Sequence, residues 1–290
     1  MTDTPEYDPT TVPIRPAATV MVVEDRPADA GDELRVLMLR RTSRAVFGSD
    51  MWVYPGGRVD DEDEEIAAGH VVGLDATEAD RRLGVDRGGL AYWVAALREC
   101  FEEAGILLAR RAHDGEAIDV SDPATVTRLE RHRSALNAGE RTFAEIIAEE
   151  AVVLDAARIH YIGHWITPVG PPRRFDTRFF LAAAPAGQVA AHDDNEIVHH
   201  DWVAPGPAMQ RWETDQMAMM SPTARMLMCL LPFSRSADAV AAAALDLEPQ
   251  QVRVRREGDA YRILLPGDAG WQDGDPDTEF GWVKLRLPGT

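Results

Sequence analysis

On a helix, residues three and four apart stand side by side, so Glu99, Glu102 and Glu103 would place three carboxylates on one face. Like charges at those spacings cost a bare helix roughly 0.2–0.5 kcal/mol per pair, whereas a divalent cation reverses the sign of the interaction. Carboxylate oxygens are hard donors that select Mg²⁺ or Mn²⁺ over zinc, and such ions bridge a few protein carboxylates to substrate phosphates. The plain alternative, a solvated helix face with incidental ion pairs, accounts for most glutamate clusters. What surrounds these three decides between the two.

The element that carries them is legible. From Gly89 to about Ala109 the pattern is helical, with Trp93, Leu97, Cys100 and Ala104 spaced four, three and four apart on one apolar stripe. At about 100° per residue the acids lie about 135° from that stripe, so the stripe packs inward and the carboxylates stay off the buried side. Upstream, a short strand near Met51 to Tyr54 runs into Pro55-Gly56-Gly57, a combination that ends a strand and lets backbone approach a ligand closely.

The run Arg98-Glu99-Cys100-Phe101-Glu102-Glu103-Ala104-Gly105-Ile106 resembles the second half of the Nudix box, Arg-Glu-U-x-Glu-Glu-x-Gly-U with U a bulky apolar residue. Its five fixed letters would arise by chance on the order of once in a few thousand chains of this length, which makes the match specific. Tyr54-Pro55-Gly56-Gly57 looks like the loop that opens the box. The spacing departs from the family: Arg98 stands 41 residues after Gly57 rather than fourteen, an insertion of 27 residues. The early acid of the box should fall at Asp63, but the run Asp60-Asp61-Glu62-Asp63-Glu64-Glu65 offers several substitutes or a merely solvated loop. An interrupted box resembles the branch that includes the peroxisomal coenzyme A diphosphatases. Leu37-Met38-Leu39-Arg40-Arg41, Trp165-Ile166-Thr167-Pro168 and the segment from Arg173 to Phe180 match that branch as well, and the resemblance covers roughly residues 15 to 205.

The resemblance implies a Nudix-type α/β/α sandwich with a mixed sheet, and cleavage by water of a diphosphate linking a nucleoside to a second group. Glu99, Glu102, Glu103 and the Gly56 carbonyl would hold Mg²⁺ or Mn²⁺, with Gly57, Arg98 and Gly105 shaping the box. Metal ligation lowers a carboxylate's basicity, so the base is either one of the paired glutamates, Glu102 or Glu103, or an acid from another loop. Glu196 fits the latter, because Glu196-Ile197-Val198-His199-His200-Asp201-Trp202 resembles the late family segment in which an acid precedes a strand. It is a base, an extra ligand or a simple loop carboxylate. Arg40, Arg41 and Arg44, then Arg173, Arg174 and Arg178, are candidates for substrate phosphates, each against the reading of a surface arginine. His199 and His200 are adjacent on a strand and cannot both face one centre. Trp52, Tyr54, Trp165 and Phe175 are expected to pack a core rather than stack on an adenine. Coenzyme A or an acyl derivative is the expected substrate, with ADP-ribose, a dinucleotide, or a nucleotide held without cleavage as alternatives.

Composition agrees with such a role. The 290 residues carry 30 Lys+Arg against 49 Asp+Glu, a formal charge of −19, with 45% hydrophobic residues. That balance argues against broad attachment to nucleic acid or anionic membrane, and an anionic ligand would need cations to screen it. Neither a signal peptide nor a membrane-spanning run is apparent, so the expected location is cytoplasmic. Cys100 and Cys229 belong to no metal or redox spacing and read as reduced packing residues. The chain divides into a tail over 1–16, a catalytic domain over 17–205 with its insertion at about 58–88, and a helical and strand extension over 206–290. Within the body, strands are expected at Ala17 to Val23 and Leu34 to Leu39 around the polar stretch Glu24 to Glu33. Short helices are expected at Glu64 to Gly69 and Thr77 to Leu83, and helix over 123–154. Further strands are expected at Ile159 to Ile166, Arg174 to Ala184, Ile197 to Val203, Val252 to Arg255, Ala260 to Leu265 and Trp282 to Leu287. Met217, Met219 and Met220 suggest either a homodimer interface or, better, a buried helix.

Overall fold

A long hairpin begins the sheet. In the computed structural model, which describes residues 8–28, 31–43, 48–192, 196–258, 260–278 and 280–287, β1 (Ile14–Ala28) and β2 (Gly31–Arg41) pair antiparallel from Val23↔Val36 to Ala28↔Gly31. The polar stretch from Glu24 to Glu33, expected to separate two shorter strands, is therefore mostly ladder. Its charges face each other across the strands, Glu24 opposite Arg35 and Arg26 opposite Glu33, so polar residues extend the hairpin past the apolar part.

The next elements build the box. β3 (Trp52–Val53) adds to β2 and β4 (Gly56–Arg58) adds to β1. After β4 come α1 (Asp61–Ala67), a short β5 (Val71–Val72), α2 (Ala76–Leu83) and α3 (Gly89–Ala104). Helix α1 starts three residues before the expected Glu64, because the Asp63 carboxylate accepts the Asp60 N–H at 2.9 Å and closes the first turn. Helix α3 stops at Ala104 rather than Ala109. Gly105 adopts a φ of 70°, and its N–H returns to the Phe101 carbonyl at 3.0 Å, a left-handed cap that a glycine accepts without strain.

Between α3 and the second half of the sheet, β6 (Ala109–Arg111), α4 (Pro123–Asn137), α5 (Phe143–Glu149) and β7 (Val152–Asp155) form a side unit. The helix expected over 123–154 is thus two helices and a strand. Gly139, at a φ of 68°, ends the first. Thr142 and Glu145 then cap α5 reciprocally, and the β-branched pair Val152-Val153 extends between β5 and β6 in a three-stranded sheet.

The remaining strands of the core follow: β8 (Ile159–Ile166), β9 (Arg174–Ala183) and β10 (Ile197–Val203), all close to the expected bounds. Helices α6 (Pro205–Glu213), α7 (Ser221–Met228) and α8 (Ser236–Ala243) come next. The chain ends on β11 (Gln250–Gln251), a hairpin of β12 (Arg253–Glu257) and β13 (Ala260–Leu264), and β14 (Gly281–Val283), shorter than the expected Trp282 to Leu287. The main sheet runs β10-β2-β1-β9-β8-β14-β11 and is mixed, since β1 and β9 are parallel while the other neighbours are antiparallel.

Strand alternation gives the sheet two apolar faces. Ala18, Val20, Val22, Leu37, Leu39, Phe180 and Ala182 meet the α3 stripe, in which Trp93, Leu97, Cys100 and Ala104 are all fully buried. Burying side chains such as Leu97 contributes roughly 1.5–3 kcal/mol each. On the opposite face Met21, Val23, Val36, Met38, Phe179 and Leu181 are covered by residues of α6, α7 and α8. The fold is a three-layer α/β/α sandwich. Met217 and Met219 lie buried in that second core, in the loop between α6 and α7 rather than on a helix, and Met220, half-buried, stands at the start of α7. Among the described residues no helix is long and apolar enough to cross a membrane.

Candidate active site

Two glycines bring backbone against carboxylate. β4 lies antiparallel to β1 with Gly56 opposite Thr19 and Gly57 opposite Ala18. A Cβ on Gly56 would come within 2.5 Å of Thr19 Oγ1 and 2.6 Å of the Ala18 carbonyl, and a Cβ on Gly57 would collide with Glu99 Oε1. Space rather than backbone angle therefore restricts both positions, Gly56 by the backbone of β1 and Gly57 by the Glu99 carboxylate. The Gly56 N–H donates to Glu103 Oε2 at 3.0 Å, which fixes the last box glutamate beneath the strand.

Arg98 organises the rest. Its guanidinium is buried, and all five donors find partners. Nε donates to Asp63 Oδ1 at 2.9 Å, and Nη2 to Asp63 Oδ2 at 3.1 Å and the Arg58 carbonyl at 2.9 Å; Nη1 donates to Glu99 Oε1 at 3.0 Å and Glu102 Oε1 at 3.1 Å. Such a saturated fork orients carboxylates and has no donor left for a substrate phosphate. Asp63, fully buried, is the acid of the run Asp60 to Glu65 that engages Arg98 at two points. The 27 extra residues therefore enter the box after Asp63, and α2 lies in that excursion.

The charge balance around this fork is uneven. One arginine faces Asp63, Glu99 and Glu102, while Glu103 lies against the Gly56 amide; Asp63 and Glu103 are buried and Glu99 is nearly so. Burial pushes Glu99 up to about 7 against the opposing pull of Arg98. Burial, then the neighbouring Glu99 charge, lifts Glu103 well above the usual carboxylate range, and burial raises Glu102 as well. Among the described residues no three His, Cys, Asp or Glu side chains converge in ligating geometry. Glu99 and Glu102 each turn one oxygen to Arg98, and Glu103 turns to the Gly56 amide. The donor chemistry nonetheless fits a hard divalent cation: three carboxylates beside an exposed strand end, with more negative charge than their arginine offsets.

Glu196 comes to the same end of the sheet. It is exposed, its Oε2 accepts from Arg41 Nη2 at 3.3 Å, its carbonyl accepts from the Thr42 N–H at 2.8 Å, and its charge raises the Glu103 pKa. Arg41 opposes that effect on Glu103 and so also reaches the site. Neighbouring Arg40 does not, because adjacent strand residues point to opposite faces; it pairs with Asp50 at 3.3 Å. Arg174 donates to the Thr167 carbonyl at 3.0 Å and stands opposite Ile14, about 16 Å along the sheet from the level of Gly56. Arg178 is buried, paired with Asp176 and reaching the Leu83 carbonyl, so it secures the end of α2. Arg44 lies outside the described residues.

Of the four aromatic residues, Trp52, Tyr54 and Trp165 are buried in the second core, whereas Phe175 on β9 is half-buried and belongs to neither core. His199 sits edge-on to Trp52, while the His200 ring contacts His192. One residue at the site had no signal in the box itself. Arg133 of α4 donates to the backbone carbonyls of both Glu102 and Glu103 at 2.8 Å.

Comparison with known proteins agrees with this geometry. Residues 14–228 match the family model described as the NUDT19 Nudix domain. A chicken protein named acyl-coenzyme A diphosphatase NUDT19 is 28% identical over 91% of this chain and 81% of its own length. The human protein of the same name is 27% identical over 62% of this chain, which spans half of that relative's length. The crystal structure of a Nudix hydrolase from Alicyclobacillus acidocaldarius superposes with a TM-score of 0.63 at 26% identity, covering 80% of this chain and 97% of that one. With its box turn built around Arg98 and its match over most of its length, this chain belongs to the Nudix hydrolase family, in the group defined by the NUDT19 Nudix domain.

Proposed function

We propose that this chain hydrolyses the diphosphate of coenzyme A or an acyl-coenzyme A, with Mg²⁺ or Mn²⁺ held by Glu99, Glu102, Glu103 and the Gly56 carbonyl. The observation that carries the reading is the gathering of three box glutamates at the Gly56-Gly57 strand, Glu99 and Glu102 on the saturated Arg98 fork and Glu103 on the Gly56 amide. The names of the chicken and human relatives supply the substrate class.

Bound there, a divalent cation would neutralise diphosphate oxygens and lower the pKa of a coordinated water. The chain's own residues do the positioning. Arg98 fixes the turn that bears Glu99 and Glu102, and the Gly56 amide fixes Glu103. Attack of water at one phosphorus breaks its bond to the bridging oxygen, which leaves on the second phosphate, giving two phosphate monoesters. Glu196, exposed and held by Arg41 outside the buried cluster, takes the proton of the attacking water. Arg41 is placed to meet an incoming phosphate from the same side.

The test is a panel of coenzyme A, short- and medium-chain acyl-coenzyme A, ADP-ribose and a dinucleoside diphosphate. Each is incubated with and without Mg²⁺ or Mn²⁺, and products are separated chromatographically. Metal-dependent cleavage fastest on the coenzyme A compounds and lost in Glu103→Gln supports the proposal. Preference for ADP-ribose overturns the substrate, and binding without turnover overturns the reaction.

A further inference from the structure

We infer that Arg133 is a positioning residue for the hydrolytic site, holding the last turn of the box helix and the backbone at Ala191 and His192 in one register. The inference rests on the diphosphatase reading above and adds a residue that lies far outside the box, on α4.

A helix ends with carbonyls that lack intrahelical partners and with the negative pole of its dipole, so a cation at that end satisfies both. The last turn of α3 has no basic residue of its own. Arg133 supplies one from α4. Its Nε donates to the Glu102 carbonyl and its Nη2 to the Glu103 carbonyl, each at 2.8 Å, so it grips the backbone of the two residues whose side chains form the acidic face. Asn137, one turn further along α4, donates to the Glu102 carbonyl at 3.2 Å.

The same guanidinium reaches a third element. Nη1 donates to the His192 carbonyl at 3.4 Å, four residues before Glu196, and beside it the Ala191 N–H donates to the Ala104 carbonyl at 2.9 Å. Box glycine 105 makes room for this. A Cβ there would stand 3.3 Å from Arg133 Nη1 and 3.6 Å from its Cζ, at a φ of 70°. Gly105 thus ends the helix and admits the clamp. The fork thus ties the end of the box helix to the backbone at His192, and a shift of that helix end moves the Glu102 and Glu103 carboxylates. Displacements near 1 Å in such sites cost about 100-fold in rate.

The experiment uses the full chain with Arg133→Ala and Arg133→Lys. Three readouts are taken: Mn²⁺ affinity without substrate from the free-ion paramagnetic resonance signal, kcat and KM on an acyl-coenzyme A, and hydrogen exchange over residues 188–200. Expected for Arg133→Ala are Mn²⁺ binding weaker by about tenfold, kcat lower by about 30-fold or more with KM changed far less, and faster exchange in 188–200. Arg133→Lys, which keeps the charge but not the fork, should fall between and decides the matter if the alanine variant does not fold. Wild-type Mn²⁺ affinity and kcat in the folded variants would overturn the inference. If the wild type cleaves no diphosphate in the panel, the diphosphatase reading fails, and the Mn²⁺ and exchange readouts still judge the clamp.

Discussion

Asp63 and Arg98, 35 residues apart in the chain, meet in a two-point ion pair at 2.9 and 3.1 Å, both side chains almost wholly buried. The pair ties the start of α1 to the box helix across the whole insertion. This explains how a box interrupted by 27 residues still closes on the Gly56-Gly57 strand.

Removing Asp63 leaves Glu99 and Glu102 to balance the Arg98 charge but strips two buried guanidinium donors of their partner, which costs about 1–3 kcal/mol each. Asp63→Ala should therefore lower the unfolding free energy by about that amount in urea titration and reduce turnover, because Glu99 and Glu102 lose their anchored arginine. Glu64→Ala, at an exposed neighbour, should leave stability within about 0.5 kcal/mol of wild type.

The raised carboxylates make a signed prediction about pH. Glu99 sits near 7 and Glu103 is raised as well, against about 4.5 in the unfolded chain, so the folded metal-free protein holds more protons between those values. Its stability should therefore fall as pH rises from about 4.5 to about 7, then level off for Glu99. Melting temperature followed against pH with a chelator present should show that decline relative to Glu99→Gln. Millimolar Mg²⁺ should restore most of the loss at pH 8, and an identical profile in both proteins would count against the assignment.

Gly57→Ala puts a methyl group into the Glu99 carboxylate. Activity should drop by about 100-fold. Far-ultraviolet circular dichroism should be unchanged, because only the Glu99 side chain has to move.

Glu196→Gln separates two roles. If Glu196 accepts the proton, kcat falls by about 100-fold or more, while Mn²⁺ affinity stays within threefold. Weakened Mn²⁺ binding of tenfold or more would instead make it a ligand.

How much of this was legible in the sequence follows the range of the interactions. The α3 stripe, the glycine pair and strands β8 and β10 were readable because their signals are local: helical spacing, turn residues and β-branched runs. Asp63 fell at the spacing the family expects, yet only burial and the two-point pairing with Arg98 distinguish it from its five acidic neighbours. The helix expected over 123–154 failed at Gly139 and at Val152-Val153, where pairing with β5 and β6 outweighs helical continuation. Arg41 rather than Arg40 meets the site because of strand alternation. Arg133 carries no spacing relation to the box and becomes visible only when α4 is packed against it.

Anomalous diffraction from a crystal soaked in Mn²⁺ shows whether the acidic turn beside Gly56 holds a divalent cation. A peak is expected within about 2.2 Å of oxygens from Glu99, Glu102 or Glu103, absent in Glu103→Gln. A Mn²⁺ peak elsewhere, with those carboxylates still turned to Arg98 and the Gly56 amide, would contradict a cation site there.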